Sequence, residues 1–302
     1  MSHFDFGGKA GYKTAKWDVN IYGKKTERSA DIDDREFDDD DNYKLDFERT
    51  LVAYSASYKA DSSLMISVNG GHSFISRISL NDSSRTDNLG NYDHSYYRGE
   101  YTGETFTNEA QLQLNKKNFN LILGGGSNTQ KMNQNIFSYY QGFEFNSDLD
   151  SLDLISSTSS FFLLTELNGA LASEKLKTFS LSLGARNNNN NTFGNSVTYQ
   201  ISPRIKLSAN SSVYGNISSG YNAPSLYQLH SPDRDFNSAI ARGNINLRPE
   251  TSVTKEFGIY QKLDDNTSIR MGFFKTVVNL SLIHISEPTR LRRISYAVFC
   301  LK

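Results

Sequence analysis

Apolar and polar residues alternate along much of this chain. The clearest stretch is residues 178–185, TFSLSLGA, in which every second residue is apolar. Successive side chains of a β-strand point to opposite faces of a sheet, so a period of two predicts strands with one apolar face and one polar face. The pattern predicts about eleven strands, at residues 12–23, 46–59, 63–75, 100–115, 119–129, 159–172, 177–186, 195–202, 205–219, 250–262 and 267–278.

Two classes of protein share this alternation. A soluble antiparallel sheet packs its apolar face on a core, whereas a transmembrane β-barrel turns that face to lipid and keeps a polar lumen. All the predicted strands except 195–202 are long enough to cross a bilayer, which takes about 9–11 tilted residues. Periodicity alone therefore leaves a soluble β-sandwich and a membrane barrel open.

The lengths of the connections favour the barrel. Short turns, at 60–62, 116–118, 173–176, 203–204 and 263–266, alternate with long connections, at 24–45, 76–99, 130–158, 187–194 and 220–249. Every second connection of an up-and-down meander emerges on the same side of the sheet. Long loops outside and short turns in the periplasm are typical of outer-membrane barrels. We therefore predict an all-β, antiparallel, up-and-down transmembrane β-barrel.

Composition supports many strands and argues against nucleic acid as a partner. The 302 residues include 17 Tyr and 19 Phe but only 5 Pro and 1 Trp. A net charge of -1 with a pI of about 6.5 gives no global attraction to a polyanion. The mean hydropathy of -0.54 would ordinarily indicate a soluble protein, but barrels evade hydropathy because only alternate residues face lipid.

Two motifs near the C-terminal third carry a family resemblance. Residues 220–229 read GYNAPSLYQL and residues 243–252 read GNINLRPETS. The pair resembles the signature of TonB-dependent outer-membrane receptors, although Asn222 replaces the usual basic residue and Ile245 the usual proline. We expect the motif residues to fix the path of a loop and its flanking strands; they are Gly220, Tyr221, Ala223, Pro224, Leu226, Gln228, Leu229, Gly243, Asn244, Leu247, Pro249 and Glu250.

The resemblance implies a transport function in the outer membrane of a Gram-negative cell. Receptors of this family import bulky, scarce nutrients, and TonB supplies the energy by pulling on an N-terminal plug domain. The chain would be part of such a barrel, about eleven of twenty-two strands, with the plug and the signal peptide missing and Met1 an internal methionine. The order of elements is most similar to cobalamin receptors, so the implied substrate is a cobalamin-like nutrient or a siderophore. A passive porin-like barrel and a soluble β-sandwich binding module are the alternatives.

No motif of an enzyme accompanies this pattern. The sequence has no G-x-S-x-G elbow, no H-E-x-x-H, no C-x-x-C and no dinucleotide fingerprint. The histidines before residue 280, which are His3, His72, His94 and His230, are scattered singly. We therefore expect a protein that is not an enzyme and that needs no cofactor for catalysis.

An acidic cluster in the first long connection has two interpretations. Closely spaced carboxylates in a flexible loop can supply the six to eight oxygen ligands that calcium prefers, and the family resemblance suggests the same role. A run of like charges is also typical of a solvated loop, and the spacing does not follow an EF-hand. Both interpretations stay open for the cluster, which consists of Asp31, Asp33, Asp34, Asp38, Asp39, Asp40 and Asp41.

The last 23 residues resemble a translated sequencing-library adaptor. The stretch LSLIHISEPTR from Leu280 corresponds in frame to transposon-end DNA, and the remainder to Lys302 fits an index and a flanking primer. We expect residues 1–279 to be the barrel part and residues 280–302 to be a non-native tail. The chain's one cysteine, Cys300, lies in that tail, so the barrel part is expected to be free of cysteine.

Three further stretches give local expectations. The run Asn187–Asn191 predicts a polar turn, because asparagine tolerates left-handed backbone conformations. Gly124–Gly126 lacks the GK[ST] of a phosphate loop and predicts a strand end or bulge. The tyrosines in and just after the second long connection are predicted to form an interfacial girdle, with ligand contact as the alternative; they are Tyr92, Tyr96, Tyr97 and Tyr101.

Overall fold

A computed structural model describes residues 2–32, 42–82, 95–140, 142–232, 234–235 and 240–279. Thirteen strands form one antiparallel sheet in which neighbours in sequence are neighbours in space, with β7 paired to β6 alone. The strands of this sheet are β1 (Ser2–Lys13), β2 (Trp17–Asp31), β3 (Tyr43–Lys59), β4 (Leu64–Asn81), β5 (Ser95–Lys116), β6 (Phe119–Tyr140), β7 (Phe143–Asp148), β8 (Leu154–Asn168), β9 (Phe179–Asn190), β10 (Gly194–Lys206), β11 (Ser211–Asn222), β14 (Glu250–Lys262) and β15 (Ser268–Asn279).

The remaining elements are short and lie in the connections. Strands β12 (Arg234–Asp235) and β13 (Ile240–Ala241) form a small separate hairpin, and α1 (Leu226–His230) precedes it. Three single-turn 3-10 helices lie at Asp150–Leu152, Gly169–Leu171 and Glu174–Leu176. Within the described ranges, no helix combines the length and the apolarity that crossing a bilayer requires.

The register of the strands gives the sheet one apolar face and one polar face. Residues directly opposite each other on antiparallel strands lie on the same face of the sheet. Following these pairs from β1 to β15 therefore assigns every paired residue to one of the two faces. The apolar face carries Phe4, Phe6, Tyr12, Trp17, Val19, Ile21, Tyr54, Tyr58, Ile66, Val68, Leu112, Leu114, Leu121, Leu123, Phe161, Leu163, Leu181, Leu183, Ile201, Ile205, Val213, Ile217, Phe257, Ile259, Met271 and Phe273.

The polar face consists of the intervening residues of the same strands. It carries amides, hydroxyls and charges of both signs, including Asp5, Lys9, Asn20, Ser57, Asn69, Glu109, Gln111, Gln113, Asn128, Ser160, Arg186, Asn188, Gln200, Ser202, Asn216, Glu256 and Arg270.

The apolar face is not covered by a second layer. Phe273 is 74% exposed and Phe161 is 63% exposed. The described part of the chain provides no second sheet that packs against them, so the predicted barrel wall is confirmed and the β-sandwich alternative has no support. Burying apolar surface drives folding in water, and a face of this size therefore requires an apolar surrounding.

The two ends of the strands differ as predicted. The connections 14–16, 60–63, 117–118, 207–210 and 263–267 are short and lie at one end of the sheet, which we call the short-turn end. The connections 32–42, 82–94, 141–153 and 223–249 lie at the opposite end, the loop end. Two connections depart from this division: 169–178 holds two 3-10 helices at the short-turn end, and 191–193 is a tight turn at the loop end.

Several sequence predictions of local structure are wrong. Asn187–Asn190 are not a turn but the end of β9, where each pairs with β8 and with β10. Pro203 and Arg204 are not a turn either, because β10 continues through them to Lys206. Proline there removes one ladder donor, and the pairing of β10 with β11 skips Ser202 and Pro203. Strands β1 and β7 were not predicted at all.

The turn between β3 and β4 is closed by a single carboxylate. Asp61 accepts hydrogen bonds from the backbone N–H of Ser63 at 2.6 Å, from its hydroxyl at 2.8 Å and from the N–H of Leu64 at 3.0 Å. The bonds from Ser63 and Leu64 favour the charged carboxylate, so they lower the pKa of Asp61.

The strands differ greatly in length. Strands β5 and β6 each have 22 residues, whereas β9 has 12 and β10 has 13. Because these strands start together at the short-turn end, the extra length of β5 and β6 extends the sheet at the loop end.

Candidate functional site

The two sequence motifs lie on one loop, residues 223–249, which joins β11 to β14 at the loop end. Its first element is α1, which a capping box begins: Ser225 Oγ accepts from the N–H of Gln228 at 3.2 Å, and Gln228 Oε1 accepts from the N–H of Ser225 at 2.8 Å. This reciprocal pair satisfies backbone donors that a helix start leaves free. Ser225 and Gln228 thus set where the short helix begins.

An apolar anchor fixes α1 on the polar-face side of the sheet. Leu226 packs in a buried cluster with Leu149 and Leu154, against which Met132 also packs. Met132 and Leu154 are opposite each other on β6 and β8, on the polar face. The loop therefore folds over the polar face and does not extend away from it.

The second motif returns along the first. The N–H of Gly243 donates to the carbonyl of Ser231 at 2.8 Å, and the N–H of Asn244 donates to the carbonyl of Gln228 at 3.0 Å. A side chain at Gly243 would place its Cβ 2.7 Å from the carbonyl oxygen of Leu229, so only glycine fits this crossing. Leu229 and Leu247 are both buried. The structure thus brings together the two motifs that the sequence separates.

The outer residues of the motifs lie where the loop meets the strands. Asn222 is opposite Glu250, and its Nδ2 donates to Glu250 Oε2 at 3.3 Å. Gly220 is opposite Ser252, whose Oγ lies 2.5 Å from where a Cβ would be. Tyr221 is on the apolar-face side of β11. Ala223, Pro224 and Pro249 lie just outside the paired strands. The two prolines lack an N–H, and at these positions that costs no hydrogen bond between strands.

A buried amide lies beside this anchor. Gln134 of β6 is only 1% exposed, and its neighbour on the same face, Ile136, is 2% exposed. Within the described residues, neither the oxygen nor the nitrogen of the Gln134 amide has a hydrogen-bond partner. An unpaired buried polar group costs about 1–3 kcal/mol. The apolar packing around α1 has to outweigh that cost.

Below the loop, the polar face forms a cavity of about 230 Å³ around Arg186 of β9. The guanidinium donates to Ser160 Oγ at 2.7 Å and to Asn188 Oδ1 at 3.1 Å, and it lies 3.8 Å from Glu109 Oε2. Asn69 and Asn128 line the same cavity. This array of donors and acceptors comes from five different strands, which is why the sequence did not reveal it.

An aromatic ring supports the guanidinium from one side. Arg186 Cζ lies 5.1 Å from the centroid of the Phe162 ring, a cation–π geometry. The ring occupies space that Gly124 leaves open, since a Cβ there would lie 2.3 Å from Phe162 Cζ. Gly124–Gly126 are therefore neither a strand end nor a bulge: they lie inside β6, in unbroken register with β5 and β8.

The predicted girdle is wrong for two of the four tyrosines. Tyr97 and Tyr101 are on the polar face, their hydroxyls are 3.0 Å apart, and Arg77 Cζ lies 5.2 Å from the centroid of the Tyr101 ring. Tyr96 is on the apolar face and packs on Phe137. Tyr92 lies outside the described residues.

The predicted calcium loop is largely outside the described residues. Asp31 is the last residue of β2, whereas Asp33, Asp34, Asp38, Asp39, Asp40 and Asp41 lie in the range 33–41 that the structure does not describe. Elsewhere, among the residues that are described, no group of three or more His, Cys, Asp or Glu side chains is arranged to hold a metal ion.

Comparison with protein families gives one match. The model described as "TonB dependent receptor-like, beta-barrel" matches residues 2–279. Among curated proteins, no sequence matches this chain.

Solved structures resemble the chain in fold. The copper transporter OprC superposes with a TM-score of 0.68 at 13% identity, over 91% of this chain and 45% of that one. The ferric yersiniabactin uptake receptor FyuA from Yersinia pestis gives 0.61 at 9% identity, over 87% and 43%. The RagAB peptide transporter gives 0.60 at 13% identity, over 95% and 41%. The chain thus spans less than half the length of each of these proteins.

Proposed function

The chain belongs to the family of TonB-dependent receptor β-barrels, and we propose that it forms part of the wall of an outer-membrane receptor that imports a bulky, scarce nutrient. In this proposal the apolar face contacts membrane lipid and the polar face lines the path of the substrate. The loop end faces the exterior, and the short-turn end faces the periplasm.

The observation that carries this proposal is the division of one sheet into two chemically different faces. The apolar face stays uncovered over the whole sheet, while the polar face carries the Arg186 cavity and the motif loop. A barrel wall with lipid on one side and water on the other needs one apolar face and one polar face. The polar face offers donors and acceptors for binding and thus supports a transporter, not an enzyme.

For the substrate we propose a cobalamin-like nutrient or a siderophore. The order of the motifs is most similar to cobalamin receptors, whereas the structural neighbours are named for copper, ferric yersiniabactin and peptide transport. Asn69, Asn128 and Asn188 supply uncharged amides next to Arg186, a chemistry suited to a large polar ligand with carbonyl and hydroxyl groups.

The energy source is proposed to be TonB, which would act through a plug domain that is outside this chain. No residue described here is assigned to that contact. Residues 280–302 lie beyond the family match and outside the described residues, and we propose that they are a non-native tail. Resequencing the gene across the codon for Asn279 tests that point, since a native reading frame through Lys302 would contradict it.

Calcium binding by the acidic loop also stays a proposal. Carboxylates that follow Asp31 in the connection between β2 and β3 could supply oxygen ligands at the loop end. Calorimetric titration of the full-length receptor with calcium tests this, with a variant that replaces Asp38–Asp41 by asparagine as the control. Absence of binding at millimolar calcium would remove the proposal.

Uptake measurements with the complete gene test the transport function. The receptor is expressed in a Gram-negative strain that lacks its own cobalamin and siderophore receptors, with and without TonB. We expect uptake of one of these nutrients in the strain that has TonB and none in the strain without it. Uptake that does not need TonB would favour the passive porin-like alternative. A water-soluble product that does not fractionate with the outer membrane would contradict the proposal.

A further inference from the structure

Several charges on the apolar face form ion pairs in the first half of the sheet. Lys25 Nζ lies 2.6 Å from Glu27 and 3.3 Å from Glu48. His72 lies 2.7 Å from Glu104, which is also directly opposite Lys131 on β6. Lys25 and His72 therefore each have a carboxylate within ion-pair distance on the same face.

Strands β14 and β15 place two cations directly opposite each other. Lys255 and Lys275 are direct partners across the two strands, and both are on the apolar face. Neither ammonium group forms an ion pair with the described residues. Like charges directly opposite each other destabilise a sheet, and a lysine on a lipid-facing surface adds a cost that grows with depth. The pair requires an anion to offset both penalties.

An apolar groove begins beside these lysines. Its volume is about 560 Å³, and its floor and sides include Ile201, Pro203, Gly215, Ile217, Phe257 and Phe273. Gly215 gives the groove its depth, because it is opposite Phe257 and has no side chain. Phe257 and Phe273 are opposite each other, one apolar-face position closer to the short-turn end than the lysines.

We infer that this groove binds an anionic, phosphate-bearing lipid of the surrounding membrane. The phosphate lies between Lys255 and Lys275, and an acyl chain runs from there along Gly215 towards the short-turn end. This direction matches a lipid of the outer leaflet, whose headgroup is at the loop end of the wall. The lysine pair provides the charge complementarity, and the two phenylalanine rings provide the apolar contact.

Lipid retention by the full-length receptor tests the inference. The purified receptor is exchanged into mixed micelles that contain phosphatidylglycerol or phosphatidylcholine, and bound lipid is counted by native mass spectrometry. We expect preferential retention of phosphatidylglycerol. Each lysine near a membrane surface contributes about 1 kcal/mol to binding an anionic lipid, so the double variant Lys255→Gln/Lys275→Gln should retain it about thirtyfold less well.

Two matched variants separate charge from shape. Lys25→Gln removes an apolar-face lysine that forms ion pairs with Glu27 and Glu48, and it should leave lipid retention unchanged. Gly215→Leu fills the groove without a backbone clash, since the nearest atom to a Cβ there is Pro203 Cγ at 3.6 Å. It should reduce retention while both lysines remain.

Three outcomes would overturn the inference. They are equal retention of the two lipids, equal retention by the double-lysine variant and the wild type, or displacement of the lipid by inorganic phosphate alone. Because uptake is measured separately, failure of this inference would leave the transport proposal intact.

Discussion

The sheet and the motif loop follow different rules. In the sheet, each strand repeats the same alternation, and its apolar residues remain uncovered on one face. In the motif loop, the apolar residues are buried: Leu226 is 7% exposed and Leu229 is 4% exposed. The sheet therefore depends on the medium around it, whereas the loop depends on contacts within the chain.

This difference means that the two regions should respond to opposite kinds of substitution. A charge on the apolar face should prevent insertion into a membrane but leave the loop's own packing intact. Truncation of a buried leucine in the loop should disrupt the packing of the loop but leave the sheet inserted in the membrane. Both kinds of substitution can be tested in the full-length receptor.

The largest effect is expected for Leu183→Arg on β9. Leu183 is on the apolar face between Thr165 and Ile201, and an arginine in the lipid-facing band costs about 2–4 kcal/mol at the bilayer midplane. Denaturant titration of the receptor refolded into lipid vesicles measures this cost. Ser182→Arg, one residue earlier on the polar face and opposite Glu166, should cost little. Equal effects of the two variants would mean that the faces are wrongly assigned.

Leu226→Ala should release the motif loop. It removes the side chain that packs on Leu149 and Leu154. Truncating a buried leucine to alanine costs about 2 kcal/mol of stability at the low end of the usual range. Hydrogen exchange of residues 223–232 should quicken by roughly thirtyfold, while exchange in β11 stays the same. Tyr227→Ala is the control, because the neighbouring Tyr227 is 46% exposed. Unchanged exchange in the Leu226 variant would show that the anchor is not needed.

Gly124→Ala should disturb the support of Arg186 on the polar face. Its Cβ would lie 2.3 Å from Phe162 Cζ, and such overpacking costs about 1–3 kcal/mol. Gly103→Ala is the matched control, since a Cβ there meets no atom within 4 Å. Thermal unfolding should separate the two variants, and the double variant Gly124→Ala/Phe162→Leu should recover part of the loss. Equal melting temperatures would contradict the close contact.

Ser225→Ala should weaken α1 without detaching it fully. Loss of the N-cap side chain costs about 1 kcal/mol, and here it also leaves one half of the capping box without its partner. Hydrogen exchange at Gln228 should quicken by about fivefold. Ser225→Thr keeps a hydroxyl acceptor and should exchange like the wild type. If both variants behave alike, the capping hydroxyl contributes nothing.

The smallest effect concerns pH and the turn between β3 and β4. The pKa of Asp61 is lowered by the donors of Ser63 and Leu64, so its contribution to stability is present above an unfolded-state pKa of about 3.9. That contribution is lost as the pH falls through the lower, folded-state pKa. Asp61→Ala should therefore lower the denaturation midpoint at neutral pH and have no effect well below that pKa. A difference that persists at the acid end would exclude the charged carboxylate as its cause.

The sequence predicted the regular part of the fold because the signal there is local. Eleven strands follow from alternation alone, since each residue's face depends only on its neighbours along the strand. Strand β1 was missed because Gly8 occupies an apolar-face position, and Gly7 and Gly11 occupy polar-face positions, so the alternation is weak. The turn between β10 and β11 was misplaced because Pro203 is a turn signal in isolation, yet it lies inside a strand here.

The candidate site could be predicted only as a set of residues, not as an arrangement. The motifs identified the loop, but the packing of Leu226 on Leu149 and Leu154 joins segments that are far apart in sequence. Arg186 gave no signal, since its partners Ser160 and Glu109 come from β8 and β5. The asparagine run was misread for the same reason: pairing with two neighbouring strands overrides the turn preference of asparagine.

The unequal strand lengths make the loop end of the sheet uneven. With about 3.3 Å per residue and a tilt near 40°, the loop-end termini of β5 and β6 lie roughly 25 Å higher than the turn at residues 191–193 between β9 and β10. In the proposed receptor, a substrate that enters past residues 191–193 would meet Asn188 and Arg186 within a few residues of the edge. A substrate that enters past the ends of β5 and β6 would first meet Tyr97 and Tyr101.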